Sequence, residues 1–234
     1  MTTVRPLARW QIASGVLGVV LLAVGIYMGL GQAPPEKHMG DVSRILYVHV
    51  PSAWNSLLIY TIGAVFAAMS LWSSATKWDA RMVGALETGC VLNVILLLTG
   101  MLWGRPTWGV WWDWDVRLTT SLISLILFAG VLALRSFIDD SERRATWSAV
   151  ATVVAYVDVP LVYFCVRWFR SIHQVQSSPE TIDSAMVLPL RINAFGVLFV
   201  AILFMALRSR IELARRVDEE VPEPARLETV TVRG

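Results

Sequence analysis

Charged residues are scarce in this chain of 234 residues. Asp, Glu, Lys and Arg make up 16% of it, against about 25% in a typical soluble domain. The formal net charge is only +2, so no basic field is available to hold a polyanion such as nucleic acid. These shortages exclude a disordered chain, a nucleic-acid-binding module and an ordinary cytosolic enzyme. The apolar share of 56% instead indicates a small polytopic membrane protein.

Cysteine and recognisable catalytic motifs are also lacking. The two cysteines, Cys90 and Cys165, cannot form a disulfide framework, and their spacing matches no zinc site. They fall at different depths of two apolar stretches, so we expect no disulfide between them. The sequence contains no Ser-His-Asp set, phosphate loop or metalloprotease motif. We therefore expect a binding or transport protein and not an enzyme.

Six apolar stretches are long enough to cross a bilayer, which takes about 20 helical residues. They cover residues 12–30, 53–72, 82–102, 118–134, 145–166 and 186–207. The predicted fold class is an all-α integral membrane protein with six transmembrane helices. We expect one membrane domain over residues 1–207 and a disordered cytoplasmic tail over 208–234, because the tail is basic at first and then rich in Glu and Pro.

The distribution of Lys and Arg predicts the orientation. Six spans place both termini on one side of the membrane. Thirteen of the 20 Lys and Arg fall on that side and seven on the other. Positive residues are retained in the cytoplasm, so both termini are expected to be cytoplasmic. Residues 31–52, 103–117 and 167–185 then form three outward loops.

One outward loop is unusually rich in tryptophan. Five of the 11 Trp lie between Trp103 and Trp114. Gly104, Pro106 and Gly109 interrupt this run, so we expect no plain helix there. An aromatic belt at the headgroup level is the simplest interpretation, but a belt scatters its aromatics over many helix ends. The concentration in a dozen residues favours a binding surface.

A slab of indole rings would suit a large, flat and apolar ligand. Arg105 and Arg117 flank the slab and could hold carboxylates, Arg in bidentate fashion. Asp113 and Asp115 are better placed to orient those arginines or the indole N–H groups. A flat apolar disc that bears two carboxylates describes haem.

The three histidines all fall in the expected outward loops. His49 comes just before the second span, where Pro51 suits the first turn of a helix. His173 lies about two turns beyond the fifth span. Two neutral imidazoles on opposite faces of a porphyrin are a common ligand pair for haem iron. We therefore expect His49 and His173 to be ligands, and His38, in a polar stretch, to be a solvated side chain.

The run from Trp108 to Asp115, WGVWWDWD, fits the pattern W-G-x-x-W-x-W-D. This pattern is the signature of the haem-handling membrane proteins of cytochrome c biogenesis. With its six spans and its length, the chain most resembles the cytochrome c maturation protein C family. Two further parts of the chain support the resemblance. The string R-I-x-Y-x-H-V-P around His49 is similar to the first outward loop of the family, and residues 159–160 and 168–174 are similar to the approach to its third outward loop. The resemblance covers nearly the whole chain except the C-terminal tail.

The resemblance implies a function and a site. In that family two outward-loop histidines, here His49 and His173, are the axial ligands of a b-type haem. The cofactor-binding set carried over from the motif is Trp108, Gly109, Trp112, Trp114, Asp115 and Arg117. Arg117 is expected to meet a haem propionate or the receiving protein. Asp113 occupies a variable position of the motif.

The resemblance also implies partners and a location. The family delivers haem to a periplasmic haem chaperone, cytochrome c maturation protein E. Two ATP-binding-cassette subunits (maturation proteins A and B) and a small single-span subunit (maturation protein D) assist. The implied location is the bacterial inner membrane. No C-x-x-C-H motif is present, so haem would be held without a thioether link, as suits a ligand that is released.

Glu87, Asn93, Asp158 and Asn193 are polar residues that lie within otherwise apolar segments. Polar groups at such depth have a partner or a function. We expect hydrogen bonds between helices, with a route for haem from the bilayer as the alternative. Pro160 should kink the fifth span.

Two other functions fit the same composition. An electron-transfer cytochrome b would place its histidine pairs inside the spans, whereas these histidines are expected in loops. A small-molecule transporter would show broken helices with charges at the midplane, and no such pair stands out in the sequence.

Overall fold

The computed structural model describes residues 6–36, 39–173 and 182–220. Helices fill almost all of these ranges, and apart from one isolated bridge between Glu36 and Gly40 the ranges contain no β-structure. Two short 3₁₀ helices, Asp41–Ile45 and Arg135–Phe137, precede α2 and follow α4. The α-helices are α1 (Arg9–Gly31), α2 (Leu46–Ser73), α3 (Thr76–Trp108), α4 (Val116–Leu134), α5 (Ser141–Ala155), α6 (Asp158–Trp168) and α7 (Ser184–Glu220).

The predicted all-α fold with six membrane-spanning segments is confirmed. Within the described residues, six helical units are long and apolar enough to cross a membrane, and α5 and α6 together form the fifth of them. The break between α5 and α6 lies at Tyr156 and Val157, one turn before the proline from which a kink was expected. Pro160 has no N–H to donate to the carbonyl of Tyr156, and the N–H of Val159 donates to that carbonyl instead, at 3.0 Å.

The helices form one bundle around the α2–α3 hairpin. α7 packs against α1, α2 and α3, while α4 packs against α3, α5 and α6. Small residues let α1 and α7 approach closely. A Cβ atom on Gly18 would lie 2.8 Å from the backbone N of Val200, and one on Gly196 would lie 3.0 Å from the backbone N of Leu22. This close approach favours van der Waals packing between helices in a membrane.

The main apolar core lies among α2, α3 and α4, and residues of α5 and α6 complete it. The rings of Tyr60 and Phe128 stack with centroids 3.9 Å apart, and both side chains are fully buried. Met82 and Leu86 of α3 belong to the same cluster. This core holds the three helices that carry most of the candidate site.

The helix boundaries differ from the sequence prediction at two places near the histidines. α2 begins at Leu46 and not near residue 53, so His49 lies in a helix and the expectation that it lies in a loop is wrong. Pro51 is an interior residue of α2, close enough to its start that the missing N–H removes only an early helical bond.

The second difference concerns the tryptophan run. α3 continues through Gly104 and Pro106, so the expected interruption there is wrong, and the helix ends only at Gly109, whose φ of +82° favours glycine. A Cβ atom on Gly104 would lie 3.2 Å from the carbonyl oxygen of Val110. The chain therefore folds back over Gly104 directly after the helix.

The last helix also continues beyond the expected boundary at Leu207. α7 runs to Glu220, so the disordered tail predicted from Arg208 is wrong over residues 208–220, while residues 221–234 lie outside the described ranges. The cause is a set of buried ion pairs at this end of the bundle, which we call the charged end. Arg135 bonds both Asp79 and Glu212 at 2.7 Å, and Arg216 bonds Asp79 at 2.7 Å.

Three of the four polar residues for which bonds between helices were expected do bond a neighbouring helix. The pairs are Glu87–Arg208, Asn93–Ser121 and Asp158–Ser124. Asn193 differs, because its amide donates to the carbonyl of Pro189 in its own helix at 3.0 Å. These contacts pair both carboxylates and both amide nitrogens within the bundle, while Oδ1 of Asn93 and Oδ1 of Asn193 have no hydrogen-bond partner among the described residues.

Candidate functional site

A cleft opens at the end of the bundle opposite the charged end. It contains about 1210 Å³ of empty space, counted to its open mouth, and its walls come from α2, α3, α4, α6 and the segment after α6. All three segments expected to face outward contribute residues, among them Met39, His49, Trp108 and His173. The fold thus brings together parts of the chain that are far apart in sequence.

His49 and His173 face each other across this cleft. Their ring centroids are 6.3 Å apart and the ring planes differ by 23°. His49 lies in the first turns of α2 and is 6% exposed. A metal ion held between two imidazoles, each bonded at about 2.0 Å, places the ring centroids roughly 6 Å apart. The separation therefore fits two ligands of one iron.

The protonation of His173 also suits a ligand. Burial and, to a smaller extent, the positive charge of Arg117 lower the pKa of His173 to about 4, against the opposing effect of the Asp115 carboxylate. The imidazole is consequently neutral at neutral pH, and a neutral imidazole carries the lone pair that binds a metal.

Two tryptophans near the end of α3 each pack edge-on against one histidine. The ring of Trp103 lies 5.4 Å from that of His49 with an interplanar angle of 87°. The ring of Trp108 lies 5.3 Å from that of His173 with an angle of 80°. Because α3 continues as a helix to Trp108, one rigid element sets the spacing of both indoles.

Two buried N–H groups along the cleft have no hydrogen-bond partner in the described part of the chain. They are Nε1 of Trp112 and Nη1 of Arg117. Leaving a buried donor unpaired costs about 1–3 kcal/mol, so such groups are rare in folded proteins. A carboxylate is a suitable acceptor for donors of this kind. Arg105 differs, since its guanidinium donates to the carbonyl of Gly109.

Asp115 has a structural role that the sequence did not reveal. Its carboxylate caps α4 by accepting a hydrogen bond from the backbone N–H of Arg117 at 2.9 Å. It also accepts bonds from the hydroxyl of Ser171 and the backbone N–H of Ile172, both at 3.0 Å. The hydroxyl of Ser171 accepts in turn from the backbone N–H of His173. Asp115 therefore ties the start of α4 to the segment that carries His173.

The remaining predicted site residues lie outside the cleft. Trp114 is 74% exposed and packs edge-on against Trp112, with ring centroids 5.7 Å apart. Gly109 forms the turn that ends α3. The residues of the motif thus have different roles. The indoles of Trp108 and Trp112 line the cleft, and that of Trp114 is exposed. Gly109 forms a turn and Asp115 caps a helix.

Sequence reasoning missed three residues around His49. Met39 lines the cleft, and its sulfur accepts a hydrogen bond from Nε1 of Trp103 at 3.3 Å. Trp103 was seen only as part of the tryptophan run. Thr99 lies 3.1 Å from Nδ1 of His49, measured from its hydroxyl oxygen. A single Thr in an apolar span gives no signal of such a contact.

Comparison with known proteins identifies the family. The model of the family described as "Heme exporter protein C" matches residues 2–222. The chain belongs to the Heme exporter protein C family. The match includes every residue that the structure describes, so both the cleft and the charged end lie within the family's common sequence.

Several proteins named "Heme exporter protein C" are similar to the chain over most of their length. The protein of Bradyrhizobium diazoefficiens is 35% identical over 205 residues, which cover 85% of this chain and 77% of the relative. The protein of Escherichia coli K12 is 35% identical over 196 residues, covering 83% and 80%. That of Haemophilus influenzae is 35% identical over 203 residues, covering 85% and 82%.

Proposed function

We propose that this chain binds a b-type haem in the cleft and delivers it to a periplasmic haem chaperone during maturation of c-type cytochromes. His49 and His173 are the axial ligands of the iron. The single observation that carries this proposal is the 6.3 Å separation of their ring centroids, which suits two imidazoles bound to one metal ion. Membership of the Heme exporter protein C family supports haem as the ligand.

The rest of the cleft supports a porphyrin as the ligand. Trp103, Trp108 and Trp112 supply flat apolar surface beside the histidines. The unpaired Arg117 Nη1 and Trp112 Nε1 are suited to a propionate, and a charge-assisted bond to a carboxylate is among the stronger hydrogen bonds in proteins. When bound, the iron supplies the coordination sites that hold the haem against the two imidazoles.

Delivery requires that the haem be bound reversibly. The sequence has no C-x-x-C-H motif, so the haem is held only by coordination, packing and hydrogen bonds. Each of these can be exchanged for an equivalent contact in a recipient. The exposed ring of Trp114, next to Trp112, offers the recipient an aromatic contact at the mouth of the cleft.

The orientation follows from the Lys and Arg distribution. We place the cleft at the periplasmic face of the bacterial inner membrane, and the charged end with both termini in the cytoplasm. The partners are the chaperone, cytochrome c maturation protein E, the ATP-binding-cassette subunits (maturation proteins A and B) and the single-span maturation protein D. The chain acts as a delivery protein and not as a catalyst.

A transfer experiment tests the proposal. Haem-loaded protein in detergent is mixed with the purified chaperone, and the haem content of each is followed after separation. We expect haem to move to the chaperone from the wild type and from His38→Ala, and little haem to be present for transfer in His49→Ala or His173→Ala. Haem that stays in the wild-type protein and is reduced by a quinol would contradict delivery and favour an electron-transfer cytochrome.

A further inference from the structure

The imidazole of His49 rests on one short segment of α3. The hydroxyl oxygen of Thr99 lies 3.1 Å from Nδ1 of His49. A Cβ atom on Gly100 would lie 3.1 Å from Cε1 and 3.7 Å from Nδ1 of the same ring. Thr99 and Gly100 together therefore form a seat for the imidazole.

The hydroxyl of Thr99 already uses its only proton. It donates to the backbone carbonyl of Ile95 at 2.7 Å, with the carbonyl of Leu96 at 3.1 Å as a second acceptor. A hydroxyl has one O–H donor and two acceptor lone pairs. Toward His49 the Thr99 oxygen is consequently left as an acceptor.

An acceptor at Nδ1 decides which ring nitrogen carries the proton. The neutral imidazole has one N–H and one lone pair, and the hydrogen bond made by one nitrogen fixes the state of the other. The acceptor oxygen of Thr99 at Nδ1 therefore selects the form with the proton on Nδ1 and the lone pair on Nε2.

We propose that Thr99 is a positioning residue that holds His49 in its Nδ1–H tautomer, so that Nε2 is the nitrogen available to the iron, with Gly100 providing the space for this ring orientation. The inference rests on the proposed function, because it concerns His49 as a ligand. Outer partners of this kind fix the tautomer and the ring orientation of metal-bound histidines and raise their basicity.

The hydroxyl also has an electronic effect on the iron. A histidine that donates a hydrogen bond from Nδ1 is a more basic ligand, and a more basic ligand favours the ferric over the ferrous state. Removing the acceptor is therefore expected to raise the midpoint potential of the bound haem. If the potential rose only because the bundle packed less well, a variant with a hydroxyl at position 99 would not restore the wild-type potential.

The test uses full-length, haem-loaded protein and compares Thr99→Val with Thr99→Ser. We expect Thr99→Val to release haem about tenfold faster to an excess of a haem-scavenging protein and to show a higher midpoint potential. Thr99→Ser should restore both values. Thr88→Val is the matched control, because buried Thr88 makes the same bond within α3, to the carbonyl of Gly84 at 2.7 Å, and bonds neither of the described histidines.

Wild-type release and wild-type potential in Thr99→Val would overturn the inference, provided that His49→Ala loses the haem. If His49→Ala instead keeps the wild-type spectrum, the proposed function fails and not merely the role of Thr99. Should Thr99→Val not fold, Gly100→Ala provides the test, since its added methyl group would lie 3.1 Å from Cε1 of His49 and so requires a small shift of the ring that Thr99 contacts. A higher potential in Gly100→Ala supports the inference, and an unchanged potential overturns it.

Discussion

The carboxylate of Asp115 accepts a hydrogen bond from the backbone N–H of Ile172 at 3.0 Å, next to His173 in the chain. Asp115 is the last residue of the tryptophan motif, and it caps α4 at the same time. One acidic side chain thus links the tryptophan motif, the helix that carries Arg117 and the segment that carries His173. The acidic residue of the motif acts on the candidate ligand through the backbone.

We expect Asp115→Asn to loosen the histidine that Asp115 supports. Asparagine offers one acceptor oxygen where the carboxylate uses two for its three donors. Haem release to a scavenging protein should become about tenfold faster. This is the lower end of the range found when a group that orients a metal-bound histidine is removed. Asp113→Asn is the control, because Asp113 is an exposed carboxylate in the same motif. Equal effects of the two changes would refute the special role of Asp115.

Arg117→Gln should weaken the binding of haem by tenfold or more, since a hydrogen bond to a charged group contributes about 1.5–3 kcal/mol. The same change should have little effect on haem dimethyl ester, which has no free carboxylate. Titration of apoprotein with both ligands measures the difference. Arg105→Gln serves as control, because Arg105 is exposed and bonds the carbonyl of Gly109. A similar loss for both ligands would show that Arg117 does not meet a propionate.

Trp114→Ala should leave the haem spectrum unchanged and slow the transfer to the chaperone. Trp114 is 74% exposed and does not line the cleft. Its loss therefore removes a contact with the chaperone and leaves the contacts with haem in place. The measurement is the transfer rate from haem-loaded protein. Trp147→Ala, which removes an exposed tryptophan on α5, should transfer haem at the wild-type rate. Loss of haem from Trp114→Ala before any chaperone is added would contradict this division of roles.

Asp79→Asn should destabilise the charged end without changing the haem spectrum. Asp79 is 1% exposed and bonds both Arg135 and Arg216, and breaking a buried ion pair costs about 3–5 kcal/mol. Thermal unfolding in detergent should show a clearly lower midpoint. Asp41→Asn removes an ion pair whose carboxylate is 82% exposed, and such pairs contribute only about 0–1 kcal/mol. If Asp79→Asn unfolded at a temperature as high as Asp41→Asn, the ion pairs of Asp79 with Arg135 and Arg216 would not stabilise the charged end.

Much of the fold could be predicted because long apolar runs and the proline inside the fifth span have clear physical consequences. The long runs predict the six spans, and Pro160 predicts the break that precedes it. Helix ends were less predictable. Pro106 and Gly104 are residues that often end helices. A proline in the last turn removes few helical hydrogen bonds, however, and Gly104 leaves room for the chain that folds back over it.

The extent of α7 could not be predicted for a related reason. Glu212 and Arg216 resemble the solvated residues of a polar tail, and only their contacts with Arg135 and Asp79 reveal a buried helix face. These partners are far away in the sequence. Thr99 was equally hidden, because a hydroxyl that contacts a histidine looks like any other threonine in an apolar span.

The bis-histidine site is tested most directly by the low-temperature electron paramagnetic resonance spectrum of the ferric, haem-loaded protein. Wild type and His38→Ala should give a low-spin signal from two axial imidazoles. His49→Ala and His173→Ala should each lose this signal, by losing haem or by becoming high-spin, and added imidazole should restore the low-spin form. A wild-type low-spin signal that survives in either single variant would contradict ligation by His49 and His173.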